Sequence, residues 1–145
     1  PDLGGVHFSI GSLHWVGGEF EQALPELMAE LKLDPKHAEA HYEIGDIHYT
    51  RRDLEASKKH LLAAIELRPS LVEAHLALER VYNDQGNHEK SLEHLRVAMD
   101  LRPHDPTPHY RMAQLYRRLG QRAEFQQSMT RFQELQKQRG ESGEP

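Results

Sequence analysis

The sequence predicts an all-α chain, an α-solenoid of about four stacked helical hairpins, on three observations. Its markers recur at a fixed step: Pro1, Pro35, Pro69 and Pro103 stand 34 residues apart, and so do His7, His41, His75 and His109. Between the markers, apolar side chains follow helical spacing, as in Leu54, Leu61, Leu62 and Ile65, or His75, Leu78, Val81 and Tyr82. Midway through three of the four periods lies a glycine able to take a positive φ and end a helix.

The elements follow from these signals in chain order. Helices are expected near 4–16, 20–33, 38–50, 54–67, 72–84, 88–101, 106–118 and 122–137. The motifs Gly17-Gly18-Glu19, Gln85-Gly86-Asn87 and Leu119-Gly120-Gln121 divide their periods in two. The second period carries Arg51-Arg52-Asp53 instead, so its turn must form without glycine and at a small strain. Lys32-Leu33-Asp34-Pro35, Glu66-Leu67-Arg68-Pro69 and Asp100-Leu101-Arg102-Pro103 each place a proline where one helix stops and the next begins. Two more columns keep the step, the apolar Ile10, Ile44, Leu78 and Met112 and the ring-bearing His14, His48, Tyr82 and Tyr116.

Spacing of this kind, W-x2-L-G-x2-Y, then A-x3-F, then P, resembles the tetratricopeptide repeat. His41-Ile44-Gly45-His48 with Ser57-Leu61 and Pro69 is similar to one such unit, with histidine in place of both aromatics. His75-Leu78-Glu79-Tyr82 with Ser91-Leu95 and Pro103 is another, although Glu79 replaces the small residue and is expected to crowd its hairpin. His7-Ile10-Gly11-His14 with Ala23-Leu27-Pro35, and His109-Met112-Ala113-Tyr116 with Phe125-Met129, complete the set. The resemblance implies a right-handed superhelix with a concave inner wall. It sets repeats at about 4–37, 38–71, 72–105 and 106–139 within an array over 1–139, and a flexible tail over 140–145.

Pro1 occupies the end-of-unit column, so a preceding unit is expected. Val6, Ile10 and Leu13 are then left facing water and open to self-association, because Ala40, Ile44 and Ile47 fill the same columns one unit later. The last helix, with Gln126, Gln127, Arg131, Gln133 and Gln136, has the polar character of a finished end.

Composition narrows the function. Lys and Arg number 18 against 23 Asp and Glu, for a net charge of -5, which argues against a nucleic-acid backbone as ligand. The absence of cysteine removes disulfides, thiolate metal sites and a cysteine nucleophile. The longest apolar run, Leu61 to Ile65, falls far short of the roughly 20 residues that cross a bilayer, so a soluble protein is expected; its compartment stays open, with the cytoplasm as the first expectation.

Eleven histidines raise a metal hypothesis, and His37 with His41, or His7 with His14, could approach one another. His7, His14, His41, His48, His75 and His109, however, fall in core columns, where burial would keep them neutral and make stability fall below pH ~6.5. No HExxH, phosphate loop or nucleophile elbow is present, and Glu39 with Glu43 is expected to be a solvated helix face. No enzyme activity, metal or cofactor is expected.

The resemblance assigns the inner wall to first-helix positions. Of these, Phe8, Ser12, Trp15, Tyr42, Asp46, Tyr49, Leu76, Arg80, Asn83, Tyr110, Arg111, Gln114, Arg117 and Arg118 are the candidate partner-binding residues. They grade from aromatic through acidic to basic. Phe8, Ser12 and Glu43 stand where the chaperone-binding type of repeat carries its carboxylate clamp, and Ser9, Glu43, Ala77 and Arg111 break the asparagine ladder of the sugar-transferase type. The expected function is a scaffold or adaptor that binds a protein or peptide in the groove. The alternative is a structural or assembly repeat domain of a larger enzyme or complex, with no groove ligand.

Overall fold

The computed structural model describes residues 4–143, so the expectation resting on Pro1 lies outside the described residues. Eight α-helices and no strand occur among them: α1 (Val6–Val16), α2 (Phe20–Leu33), α3 (Ala38–Thr50), α4 (Leu54–Leu67), α5 (Val72–Asp84), α6 (His88–Leu101), α7 (Thr107–Arg118) and α8 (Arg122–Glu141). The fold is all-α, of helical-hairpin type. The chain forms two compact units, one through Val81 and one from Tyr82.

All four hairpins turn through one backbone solution. The third residue before the turn's left-handed position accepts that residue's N–H, as in Gly18 N to Trp15 O at 3.0 Å, and the next N–H reaches one residue further back, as in Glu19 N to His14 O at 2.8 Å. The left-handed position has φ 75° at Gly18, 76° at Gly86 and 74° at Gly120. In the second hairpin Arg52 takes it at φ 63°, as the missing glycine predicts. Asp53 and Asn87 then cap their helices by accepting from the N–H of Ala56 and Lys90, both at 3.2 Å.

In the first unit α1 pairs with α2, α3 pairs with α4, and α3 also packs on α2 and α1. Ala23, Leu27, Ile44 and Ile47 form the core, with Phe8, Trp15, Phe20, Leu24 and Leu31 against it. At the crossings of these two hairpins, α1 with α2 and α3 with α4, close approach favours glycine, Gly11 and Gly45. A Cβ on Gly45 would lie 2.7 Å from Leu61 Cγ, and Ser57 Oγ donates to the Gly45 carbonyl at 2.7 Å. Ala40, Ile44 and Ile47 are fully buried, while Val6, Ile10, Leu13 and Val16 on α1 are exposed, Leu13 to 73% and Val16 to 76%.

In the second unit α7 pairs with α8 and packs on α6, burying Leu95, Ala98, Met112, Ala113, Leu115 and Leu135. α8 outruns its expected end at 137. Gly140 and Glu141, expected in the tail, are helical, and Ser142 closes the helix by donating to Gln138 O at 3.0 Å. Arg139 in the last turn favours this extension by facing the negative end of the helix dipole. Glu144 and Pro145 lie outside the described residues.

Two burial expectations are corrected. Glu43, expected on a solvated face, is only 5% exposed because it lies where α1 packs on α3; Glu39 is half-buried and pairs with Arg68. Of the six column histidines, His75 and His109 are buried, whereas His7, His14, His41 and His48 are half-buried. Their nitrogens find partners at the hairpin edge, His7 with Glu26 at 2.6 Å and His14 with Glu19 at 2.7 Å. A ring that must satisfy a nitrogen settles where a polar group can reach it.

Candidate partner-binding surface

Among the candidate partner-binding residues of the first unit, Trp15 and Arg80 converge on Asp46. The Trp15 indole N–H donates to Asp46 Oδ2 at 2.8 Å, and the Arg80 guanidinium donates to Oδ1 at 3.0 Å. One carboxylate from α3 therefore ties α1 to α5. Arg80 also lies over the Tyr49 ring, 4.7 Å from its centroid, and Trp15 meets Tyr42 edge-on at 5.8 Å. These five side chains are half-buried, each with part of its surface turned to solvent.

Beside them the Ser12 hydroxyl donates to Glu43 Oε1, while Glu43 Oε2 is buried without a partner. Burial, and secondarily the Asp46 charge, raise the Glu43 pKa to about 7 against the opposing pull of the Ser12 hydrogen bond. Burial pushes the Tyr42 hydroxyl up to about 12, helped by Asp46, Glu73 and Glu43 and opposed by Arg80. The tyrosine is a neutral hydrogen-bonding group at any physiological pH.

Phe8 stands apart from this cluster. Its ring lies 4.2 Å from that of His37, and it packs on the hydrophobic core. Leu76 is half-buried on α5. In the second unit Asn83 Oδ1 accepts from Arg118 at 3.2 Å, and the Tyr110 ring packs at a 40° tilt against Phe132 of α8 with centroids 5.1 Å apart. Gln114, Arg117 and Arg118 are exposed and Arg111 is half-buried.

Three polar residues that matter to this architecture escape a reading of helical pattern. Glu30, 1% exposed on α2, accepts the N–H of Gly5 at 3.0 Å and that of Phe8 at 3.2 Å, and so caps α1 from a neighbouring helix. Its signal is a glutamate in a column otherwise filled by Ala64, Ala98 and Phe132. Glu43 is the second. The third is His60, whose ring lies 5.4 Å from that of His41 and 5.8 Å from that of His48. Burial, then the neighbouring His41, His48 and Lys59, lower its pKa to about 4. No three of these or other His, Asp or Glu side chains converge as metal ligands among the described residues, and no described helix is long and apolar enough to cross a membrane.

A family model described as tetratricopeptide repeat matches residues 8–70, and a second, described as TPR repeat, matches 80–120. The chain belongs to the tetratricopeptide repeat family. No curated protein matches it in sequence. Among solved structures, this tetratricopeptide chain is similar to a crystal structure of MamA, with a TM-score of 0.88 at 22% identity over 93% of this chain and 79% of that one. MamA from Desulfovibrio magneticus RS-1, from residue 41 to its end, gives 0.82 at 22% identity over 91% and 75%. MamA MSR-1 gives 0.78 at 16% identity over 92% and 76%. At such identities the likeness speaks for the tetratricopeptide fold alone.

Proposed function

We propose that the chain is a protein-interaction scaffold that holds an extended or helical partner segment against its first-helix walls, with no catalysis of its own. The observation carrying this reading is the Trp15–Asp46–Arg80–Tyr49 chain of contacts. It immobilises aromatic side chains whose faces stay partly open, so a partner gains contact area without ordering them first. In the second unit the exposed Arg117 and Arg118 supply forked donors for acidic groups, which favour direction and encounter rate over bulk affinity.

The test is selection of a displayed peptide library on the full chain, followed by affinities for Trp15→Ala with Tyr49→Ala. A loss of about tenfold or more, with helicity retained, supports the wall as the binding surface. Unchanged affinity rules it out. Arg117→Glu with Arg118→Glu should flatten the salt dependence of any acidic peptide recovered.

One observation favours a second reading, a structural or assembly domain of a larger enzyme or complex. Val6, Ile10, Leu13 and Val16 make an exposed apolar stripe on α1, open to lateral contact or self-association. Under this reading Val6→Ala, Ile10→Ser and Leu13→Ser together turn an associating chain into a monomer by light scattering. A wild-type monomer whose stability the triple substitution leaves unchanged contradicts it.

A further inference from the structure

Each hairpin carries, on its second helix, one side chain positioned to reach back onto the first. The column is Glu26, His60, His94 and Ser128, again 34 residues apart. Glu26 meets His7 at 2.6 Å. The His60 ring lies between those of His41 and His48, and is within 20° of parallel to the latter. His94 lies 5.6 Å from Tyr82 with the rings 11° from parallel. Wherever the column carries a ring, that ring lies along the aromatic column of its own hairpin.

Ser128 has no ring to place there, and a cavity of about 490 Å³ opens at that site. Its floor is His109, Met112 and Tyr116, of which His109 and Tyr116 occupy the columns of His41 and His48, the two rings that neighbour His60. Met99 of α6 forms one wall, and Arg131 and Glu134, paired at 3.3 Å, stand on α8. The volume lies in the ~300–1,000 Å³ range of small-ligand sites.

We propose that this cavity receives one aromatic side chain, a phenol or an imidazole, projecting from a partner polypeptide. None of its lining residues belongs to the first-helix walls, so the inference stands independently of the function proposed above. The chain itself supplies the template, since a planar ring occupies the matching place in two other hairpins. The floor suits such a guest: two rings for stacking, and two thioethers that favour aromatic edges. Burial, then the Arg131 charge, lower the His109 pKa against the pull of Asp105, so the floor presents a neutral imidazole. A carboxylate guest is disfavoured by Glu124 and Glu134 at the edge and by the engagement of Arg131 with Glu134. Exposed Gln127 and Thr130 offer hydrogen bonds to the backbone on either side of a seated side chain, which a free small molecule would leave unused.

The test uses the full chain with its methionine methyls labelled for NMR, and p-cresol, 4-methylimidazole and acetate as side-chain probes. The two ring probes should shift Met99 and Met112 while Met28 stays fixed, and acetate should shift none of the three. Ser128→His, which places the chain's own ring in the cavity, should abolish the response; Ser128→Leu provides the same comparison if the histidine variant does not fold. Peptides bearing a single tyrosine or histidine, selected from a displayed library, should bind at least about tenfold more tightly than p-cresol and lose that affinity in the filled variant. The proposal is overturned by an unshifted Met99 and Met112, by shifts that persist in the filled variant, or by acetate acting as the rings do. Peptides no tighter than p-cresol overturn the assignment to a polypeptide partner.

Discussion

His60→Phe should make the chain progressively more stable than wild type as pH falls from 7 to about 4.5, because it keeps a ring in place and removes the group that resists protonation. In the folded chain the His60 pKa is about 4 against an ordinary 6.5. The unfolded chain thus takes up a proton that the folded chain refuses, and His60's contribution, complete above pH 6.5, is lost as pH drops towards 4. The full shift would amount to ~3 kcal/mol at 1.36 kcal/mol per unit, and because the ring is only half-buried about 1–2 kcal/mol is the expected size. Glu43 works in the opposite sense. Its folded pKa of about 7 exceeds the ordinary 4.5, so acidification across that window relieves a buried charge and stabilises the fold. Wild-type stability therefore under-reports His60, and the informative quantity is the difference between variants. Urea denaturation followed by Trp15, the single tryptophan, gives that difference for wild type, His60→Phe and Glu43→Gln at several pH values. Glu43→Gln should lose stability on acidification more steeply than wild type. A wild-type to His60→Phe difference that does not change with pH would refute the placement of His60 in a desolvated imidazole stack.

Three further outcomes follow from the packing. Gly45→Ala should destabilise by about 2 kcal/mol in the same titration, since the new Cβ meets the buried Leu61 at 2.7 Å and overpacking outweighs the gain in helix propensity; no loss would mean the hairpin can open freely. Glu30→Gln should cost about 1–3 kcal/mol and lower amide protection selectively in α1, whose first N–H groups the carboxylate accepts; uniform loss across the unit would contradict a capping role. Arg52→Gly should raise stability by about 0.5 kcal/mol, the relief at φ 63° exceeding the lost contact with Tyr49 and the added chain entropy, and a decrease would show the strain is absent.

Much of this molecule is legible in its sequence because its signals repeat. The boundaries of α2 to α6 coincide with expectation, since proline, glycine and capping residues recur at one step and each copy checks the others. The unusual turn at Arg52 and the open stripe of α1 could be read for the same reason, by comparing columns. The burial of titratable side chains is not legible in the same way. Glu30, Glu43 and His60 sit on helices at positions that pattern reading hands to solvent, and their burial depends on which neighbour faces them across a helix pair. Only the column comparison gives a hint, as when Glu30 replaces alanine. Repeat position alone names candidate wall residues, whereas the bonding of Trp15 and Arg80 to Asp46 depends on side-chain reach between residues 31 and 34 positions apart in sequence. The extension of α8 through Gly140 reflects helix propagation in a segment whose composition reads as tail.

Hydrogen–deuterium exchange of the full chain, alone and saturated with a peptide selected on it, tests the scaffold reading most directly. Binding against the walls predicts new protection in α3 and the first turns of α5, together with a change in Trp15 fluorescence. Protection confined to α2 and α4, with Trp15 fluorescence unmoved, would contradict it.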